Sequence, residues 1–558
     1  MAQCGWAAAA AAAGLGIALG AAAFASPVGD AQRLNEDALA AVNGDRSRPA
    51  PVDYGYGVGV RPASLGALVH EAASLVGTKA ATPPVGDANA GTGGMFGAAV
   101  HWPINPIHAI LLPDGRVMSY GTDESGVQGA QFMYDVWDPP LGTSAGSHTV
   151  LPNTTQTDIF CSGQSMIWST DEAFITGGDL TVSNVRNFSN NHTTIFDPAT
   201  DTVSQGPAMH YARWYASVIA QPSGKMLVLG GRQSPTLYAP TPELYDPVTG
   251  WQALNGASSV AAYGSNAAVQ WFYPRGYLMP DGNTYVLSPA GLIFKVTIAG
   301  TGSVTQLPQT LPGGSYTFPS VMFQAGKVLS VRGLRTSVVD MTGATPVISA
   351  SAALSQLRYW SNATVLADGS VALTGGSTVS DTLTGVTYQT TLWNPATGTW
   401  TTGAAAAKPR LYHSIALLLP DGTVLTGGGG SPGPVTNLNA EIYYPPYLYA
   451  KDGSGNVAAR PSLTTAKTTV GIGQSFKATV GAADQIARMT LVRTGSVTHS
   501  QNTDQRFLDL AFTQSGTGLT ITLPANANLL LPGYYMLFAI NQAGVPSVAP
   551  ILLVPSPA

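Results

Sequence analysis

The chain has 558 residues, of which 10% are charged, and a net charge of −5. That length suffices for two or three domains with a large buried core, and the lack of a basic stripe or long acidic tail argues against nucleic acid or a strongly charged partner. The 64 glycines and 40 prolines, dispersed among apolar and aromatic runs, are too many for a helix bundle and suit short strands joined by turns.

Residues 1–25 read as an export leader. Ala7 to Phe24 is an alanine-rich apolar run, and Ala23-Phe24-Ala25 fits a small-residue cleavage site. No Lys or Arg precedes the run, so an uncleaved membrane anchor or a misassigned start is the alternative. No later stretch is long and apolar enough to span a bilayer. The expected location is extracellular, with cell-surface attachment if the leader stays. Cleavage would remove Cys4, leaving Cys161 as the only thiol and no intrachain disulfide. Residues 26–92, rich in Ala, Gly and Pro, read as a loosely structured extension with a short helix near Ala67 to Val76.

A repeat then begins: an apolar run, a tight turn, and a second apolar run often closed by Gly-Gly. "AILLPDGRVMSYG" turns at Asp114-Gly115, "SVIAQPSGKMLVLGG" at Ser223-Gly224 and "IALLLPDGTVLTGGGG" at Asp421-Gly422. Counterparts turn at Asp171, Asp281, Ala325 and Asp368, so the seven turns lie 43 to 58 residues apart. Asp-Gly between apolar runs is a strong hairpin signal, because glycine accepts the positive φ. Segments such as "TTIFDPA" and "PELYDPV" follow, read as an outer strand closed by a proline turn. The pattern predicts an all-β chain: a seven-bladed kelch-type β-propeller over 93–449, with an irregular β-sandwich as the alternative. Alternating strands such as "SFKATV" and "YYMLFAI" then predict an immunoglobulin-like (early-set) β-sandwich over 450–558.

Matching positions in different blades lie at one height around one axis. Eight to ten residues before the turns stand Cys161, Tyr215, Tyr273, Trp360, Tyr412 and His413, which should therefore crowd one mouth. Each has an ordinary structural reading as a packing or hydrogen-bonded residue. Their convergence points instead to a metal or redox site, and neutral imidazole with oxygen ligands suits Cu(II).

These residues resemble the copper radical oxidases, the galactose oxidase and glyoxal oxidase family, from about residue 95 to the C-terminus. "RLYHSIALLLPDG" resembles the segment carrying the axial tyrosine and first histidine ligand, here Tyr412 and His413. "VTHSQNTDQR" resembles the segment carrying the second histidine, here His499, on a loop that enters the propeller's central hole. "ARWYAS" and "FCSGQSM" resemble the sites of the radical tyrosine and its cysteine partner, here Tyr215 and Cys161. The resemblance implies a Cys161–Tyr215 thioether radical beside Cu(II) held by Tyr215, Tyr412, His413 and His499. It also implies oxidation of a small substrate, with O2 reduced to H2O2.

In galactose oxidase a tryptophan stacks on the thioether; here "LGGRQSP" puts Arg232 or Gln233 in its place, and Trp214 or Trp168 is the expected shield. The "RWY" context favours the glyoxal oxidase type, acting on small aldehydes, over primary alcohols or galactose. Arg275, Tyr273 and Trp360 are the candidate substrate contacts, Arg275 having a surface salt bridge as its alternative reading. A non-catalytic kelch module binding glycans or a protein is the reading of another class. Asn-x-Ser/Thr sites stand at Asn153, Asn187, Asn191 and Asn362.

Overall fold

The computed structural model describes residues 82–183 and 185–556. The leader, Cys4 and the helix expected near Ala67 to Val76 lie outside these residues. Among the described residues the α-helical segments are two single turns, Ala90–Gly93 and Val260–Tyr263. The rest is sheet and turn.

Seven antiparallel sheets form the blades of the propeller. Blade one is built on His108–Leu111, Val117–Tyr120, Met133–Trp137 and His148–Pro152. Blades two to six have four strands each, with inner strands Gly163–Ile167, Ser217–Ala220, Arg275–Leu278, Ser320–Gln324 and Asn362–Val365. In blade seven, Ser414–Leu418, Val424–Gly428 and Asn439–Tyr444 are completed by Met95–Phe96 and Val100–His101 from the start of the described chain. The ring is therefore closed by two distant parts of the sequence sharing one sheet. One expectation is refined. The segments ending in proline turns, such as Thr193–Asp197 and Glu243–Asp246, are third strands, and a further edge strand follows each: Thr202–Gln205 and Gly250–Ala253.

The turns form as their sequences dictate. Gly115, Gly224, Gly282, Gly369 and Gly422 each have φ between 78° and 89°, and each donates its N–H to the residue three before it. Inner strands such as His108–Leu111 and Ser414–Leu418 are buried at every position, because neighbouring blades cover both faces.

Three buried arginines tie the inner hairpins to the third strands. Arg213 Nη1 donates to Gly230 C=O and pairs with Glu243 on the third strand. Arg410 does the same with Gly428 C=O and Glu441. Arg358 in blade six bonds Gly375 C=O, Gln389 C=O and Thr391 Oγ1, with threonine in place of the carboxylate.

Six further strands lie in the order Ser475–Thr479, Gly518–Thr522, Phe507–Ser515, Ile486–Arg493, Gly533–Asn541, Ile551–Val554. They bury Phe476, Leu491, Leu519, Ile521, Leu537 and Leu552. Between Ile486–Arg493 and Phe507–Ser515 the chain leaves this layer and enters the propeller. Ser496–Thr498 pairs with the inner strand of blade one, at Ile110 to His108. Beyond it Asp504 accepts from Ser165, Thr503 donates to Val218 C=O, Arg506 donates to Leu278 C=O, and the Gln505 amide brackets Val365. The insertion thus bonds to inner strands of blades one to four and six, which fixes its depth.

Candidate metal centre

Cys161, Tyr215, Tyr273 and Trp360 each stand two residues before an inner strand, all in the left-handed region, with φ of 56°, 66°, 36° and 60°. Such a conformation costs a non-glycine residue about 1–3 kcal/mol and persists only where the surroundings impose it. Here main-chain bonds do so from blade to blade. Cys161 N–H donates to His108 Nε2 (3.1 Å), Tyr215 N–H to Cys161 C=O (2.9 Å) and Tyr273 N–H to Tyr215 C=O (2.8 Å). Blade seven departs by one residue. Tyr412 aligns with Tyr215 and Trp360 in the Arg-x-aromatic pattern, but the left-handed residue is the next one, His413, at 68°. That shift delivers two adjacent side chains, their rings stacked at 3.8 Å. His499 comes from the insertion, at a hairpin tip where it and Ser500 have φ of 48° and 64°.

All five residues of the inferred centre meet. The Tyr215 and Tyr412 hydroxyls are 2.5 Å apart. Cys161 Sγ lies 3.3 Å from His499 Nε2 and 3.9 Å from His413 Nε2. The ring of His499 stands edge-on to Tyr215 at 5.2 Å and to His413 at 4.6 Å. Every member is at least 96% buried.

The donor set suits a cation. His413 donates Nδ1–H to Gly430 C=O at 2.8 Å, which leaves the Nε2 lone pair facing the cluster. His499 Nδ1 is held by Thr498 Oγ1, whose hydroxyl donates to Ile107 C=O, with the same effect. Burial holds His499 well below its ordinary range and His413 down to about 3, so protons do not compete for either lone pair near neutrality. Burial pushes the phenols of Tyr215 and Tyr412 well above 10, each raised further by Cys161 beside it. A divalent cation among these groups would reverse that order, because an opposite charge favours phenolate. Nitrogen and oxygen donors of this kind fit copper.

A pH effect follows. Between pH 6.5 and about 3 the unfolded chain binds a proton at His413 that the folded chain refuses, and His108 and His499 act in the same direction. Stability of the metal-free protein should be fully present above pH ~6.5 and fall as the pH drops. Denaturant midpoints at roughly neutral pH and at pH ~5 check the sign.

The remaining candidates divide. Tyr273 packs on His499 at 4.9 Å, with its hydroxyl given to Ser162 C=O. Trp360 lies 4.5 Å from Tyr412, and its buried Nε1–H has no partner among the described residues. Arg275 makes no surface salt bridge; it is buried and donates to the carbonyls of Tyr273, Tyr316 and Phe318. Trp214 covers Tyr215 at 4.2 Å, with the Arg232 guanidinium 4.3 Å from the indole centroid. Trp168 does not serve: it lies past the far end of Gly163–Ile167, against the Gly224 turn. Three Asn-x-Ser/Thr sites, Asn153, Asn187 and Asn362, are buried and unsuited to glycans in the folded chain.

Sequence reasoning passed over three neighbours. Phe272 stacks on Tyr215 at 4.5 Å and 30°. Thr498 orients His499. His108, buried and stacked on Tyr120 at 4.4 Å, accepts the Cys161 N–H. His108 stands only six residues before Asp114, outside the eight-to-ten spacing, though its place at the head of an inner strand was a usable signal.

A β-propeller whose mouth gathers two imidazoles, two phenols and a thiol defines a metal-dependent redox enzyme. Residues 460–554 match the family described as "Galactose oxidase-like, Early set domain". The chain is 31% identical to a galactose oxidase of Gibberella zeae over 497 residues, 82% of this chain and 70% of the relative. It is also 31% identical over 163 residues to the aldehyde oxidase GLOX1 of Arabidopsis thaliana, 26% of each chain. A fungal alcohol oxidase of the AA5 family, solved with copper, superimposes with a TM-score of 0.73 at 25% identity, covering 85% of this chain and all of that one. The chain belongs to the copper radical oxidase family, and it is a copper-dependent oxidase.

Proposed function

We propose that this oxidase converts a small aldehyde, taken as its hydrate, to the carboxylic acid. The observation that carries the chemistry is the meeting of Tyr215, Tyr412, His413 and His499 around Cys161. His413 and His499 would hold copper through Nε2, and Tyr215 and Tyr412 through their phenolic oxygens. Bound there, copper would supply Lewis-acid polarisation and the second one-electron acceptor that a two-electron oxidation needs. Cys161 Sγ would be bonded to a ring carbon ortho to the Tyr215 hydroxyl, and the sulfur-substituted ring would carry the radical, screened by Trp214 and Phe272.

Tyr412 accepts the substrate's hydroxyl proton as general base. The Tyr215 radical takes a hydrogen atom from the substrate carbon and becomes a phenol. These two transfers remove two protons and one electron; the second electron would pass to the one-electron acceptor held by His413 and His499, so the substrate loses two electrons and two protons in all. Dioxygen takes up the same number and leaves as hydrogen peroxide. The Trp360 N–H, without a partner among the described residues and beside Tyr412, would orient a substrate oxygen. Trp360→Phe is expected to raise KM about fivefold for one lost hydrogen bond, with kcat changed less; an unchanged KM would remove Trp360 from the substrate site.

Peptide mass mapping after copper loading in air tests the cofactor. A joined Cys161–Tyr215 peptide pair should appear two hydrogens lighter than its sum; free Cys161 in copper-loaded protein would refute it. Oxidation of a primary alcohol is the second reading, favoured by the long match to a galactose oxidase. Rates on methylglyoxal and galactose decide between them, and faster turnover of galactose would overturn the aldehyde assignment.

A further inference from the structure

Blades four and five bury two arginines that no carboxylate neutralises among the described residues. Arg275 is 7% exposed and Arg332 6%. Arg275 donates from Nη1 to Tyr273 C=O and from Nη2 to Tyr316 and Phe318 C=O. Arg332 bonds to Ser330 Oγ and to the carbonyls of Ser288, Pro289 and Pro312. Two other buried arginines are matched by glutamate, Arg213 of blade three by Glu243 at 2.9 Å and Arg410 of blade seven by Glu441 at 3.0 Å, whereas Arg358 of blade six is held by carbonyls and Thr391 Oγ1. Carbonyl dipoles solvate a guanidinium but leave its charge in place, and Arg275 lies close enough to Arg332 for the two like charges to repel. Burial lowers both groups to about 10, so both stay cationic at neutral pH.

Both arginines line the same cavity, together with Gln270, Ser288, Ser315 and Ser320. Its volume is about 20 Å³. A single water needs roughly 10–15 Å³ on this measure, so the space takes one small particle. A monatomic anion is of that size.

We propose that this cavity is a halide site, occupied by chloride and held by Arg275 and Arg332. The anion supplies the charge that glutamate supplies in blades three and seven. It would lie behind the mouth: Arg275 holds the Tyr273 carbonyl, and the Tyr273 ring packs on His499. The site requires nothing of the redox chemistry proposed above, and either can fail alone.

Crystals of the copper-loaded protein soaked in sodium bromide provide the test. An anomalous bromine peak in contact with both guanidinium groups is expected. Water density at that position, with bromide only at the outer surface or on the metal, would overturn the proposal. In solution the unfolding midpoint should shift upward as chloride replaces gluconate at constant ionic strength, and Arg332→Gln should lose that shift. An undiminished shift in folded Arg332→Gln counts against the site; should that variant not fold, the bromide experiment alone decides.

Discussion

Cys161→Ala is expected to retain copper yet lose nearly all oxidase activity. His413 and His499 keep their Nε2 lone pairs whatever stands at position 161, because Gly430 C=O and Thr498 Oγ1 hold their other nitrogens. The phenols of Tyr215 and Tyr412 also remain 2.5 Å apart in their own loops. What goes is the sulfur substituent that makes the Tyr215 ring easier to oxidise. For a one-electron couple ~59 mV is tenfold, so a rise of about 180 mV in the ring's potential would already cost about a thousandfold. The check is copper stoichiometry beside turnover, with the copper EPR signal as a third readout. Full copper and near-normal turnover would contradict the radical assignment; loss of copper would mean that Cys161 is itself a ligand, which its 3.3 Å and 3.9 Å contacts with the two imidazoles make a concrete alternative.

The second large effect lies below the mouth. Glu441 is fully buried and accepts from the N–H groups of Ala407 and Lys408 and from Arg410 Nη2. Glu441→Ala would strand the Arg410 guanidinium in the interior. Removing one partner of a buried pair costs about 3–5 kcal/mol. Arg410 stands two residues before Tyr412 and three before His413, so weaker copper binding should accompany the loss. Blade six is the internal control. Arg358 meets a neutral Thr391 Oγ1 at 2.7 Å, and Thr391→Ala should cost only about 1 kcal/mol. Denaturant unfolding of the metal-free variants measures both, and equal losses would show that the Glu441 charge contributes nothing beyond one hydrogen bond.

Much of the site was legible because a propeller is periodic. Once the turns at Asp114, Asp171, Ser223 and their successors are aligned, equivalent residues must share a height, and Cys161, Tyr215, Trp360, Tyr412 and His413 follow without coordinates. The spacing missed His108, and it does not say which residue of a pair takes the left-handed conformation. His108 stands closer to its turn than the others do, and the step from Tyr412 to His413 as the left-handed residue in blade seven is a backbone event that letters do not record. The sequence offers Trp214 and Trp168 equally as the shield of Tyr215. They separate only when strand Gly163–Ile167 is seen to run from the mouth at Cys161 to the opposite end at Trp168.

By itself the sequence determined the all-β class, the seven repeats and the following sandwich, and its motifs carried the resemblance to the family. The first three depend on hydrophobic period and turn chemistry, which are local properties. Tertiary structure alone decided that Met95–His101 completes blade seven, that the insertion bonds across five blades to place His499, and that Arg275 is a buried clamp rather than a surface charge. Each joins residues far apart in the chain, and such contacts are chosen by the closing of the ring and by the need of every buried polar group for a partner.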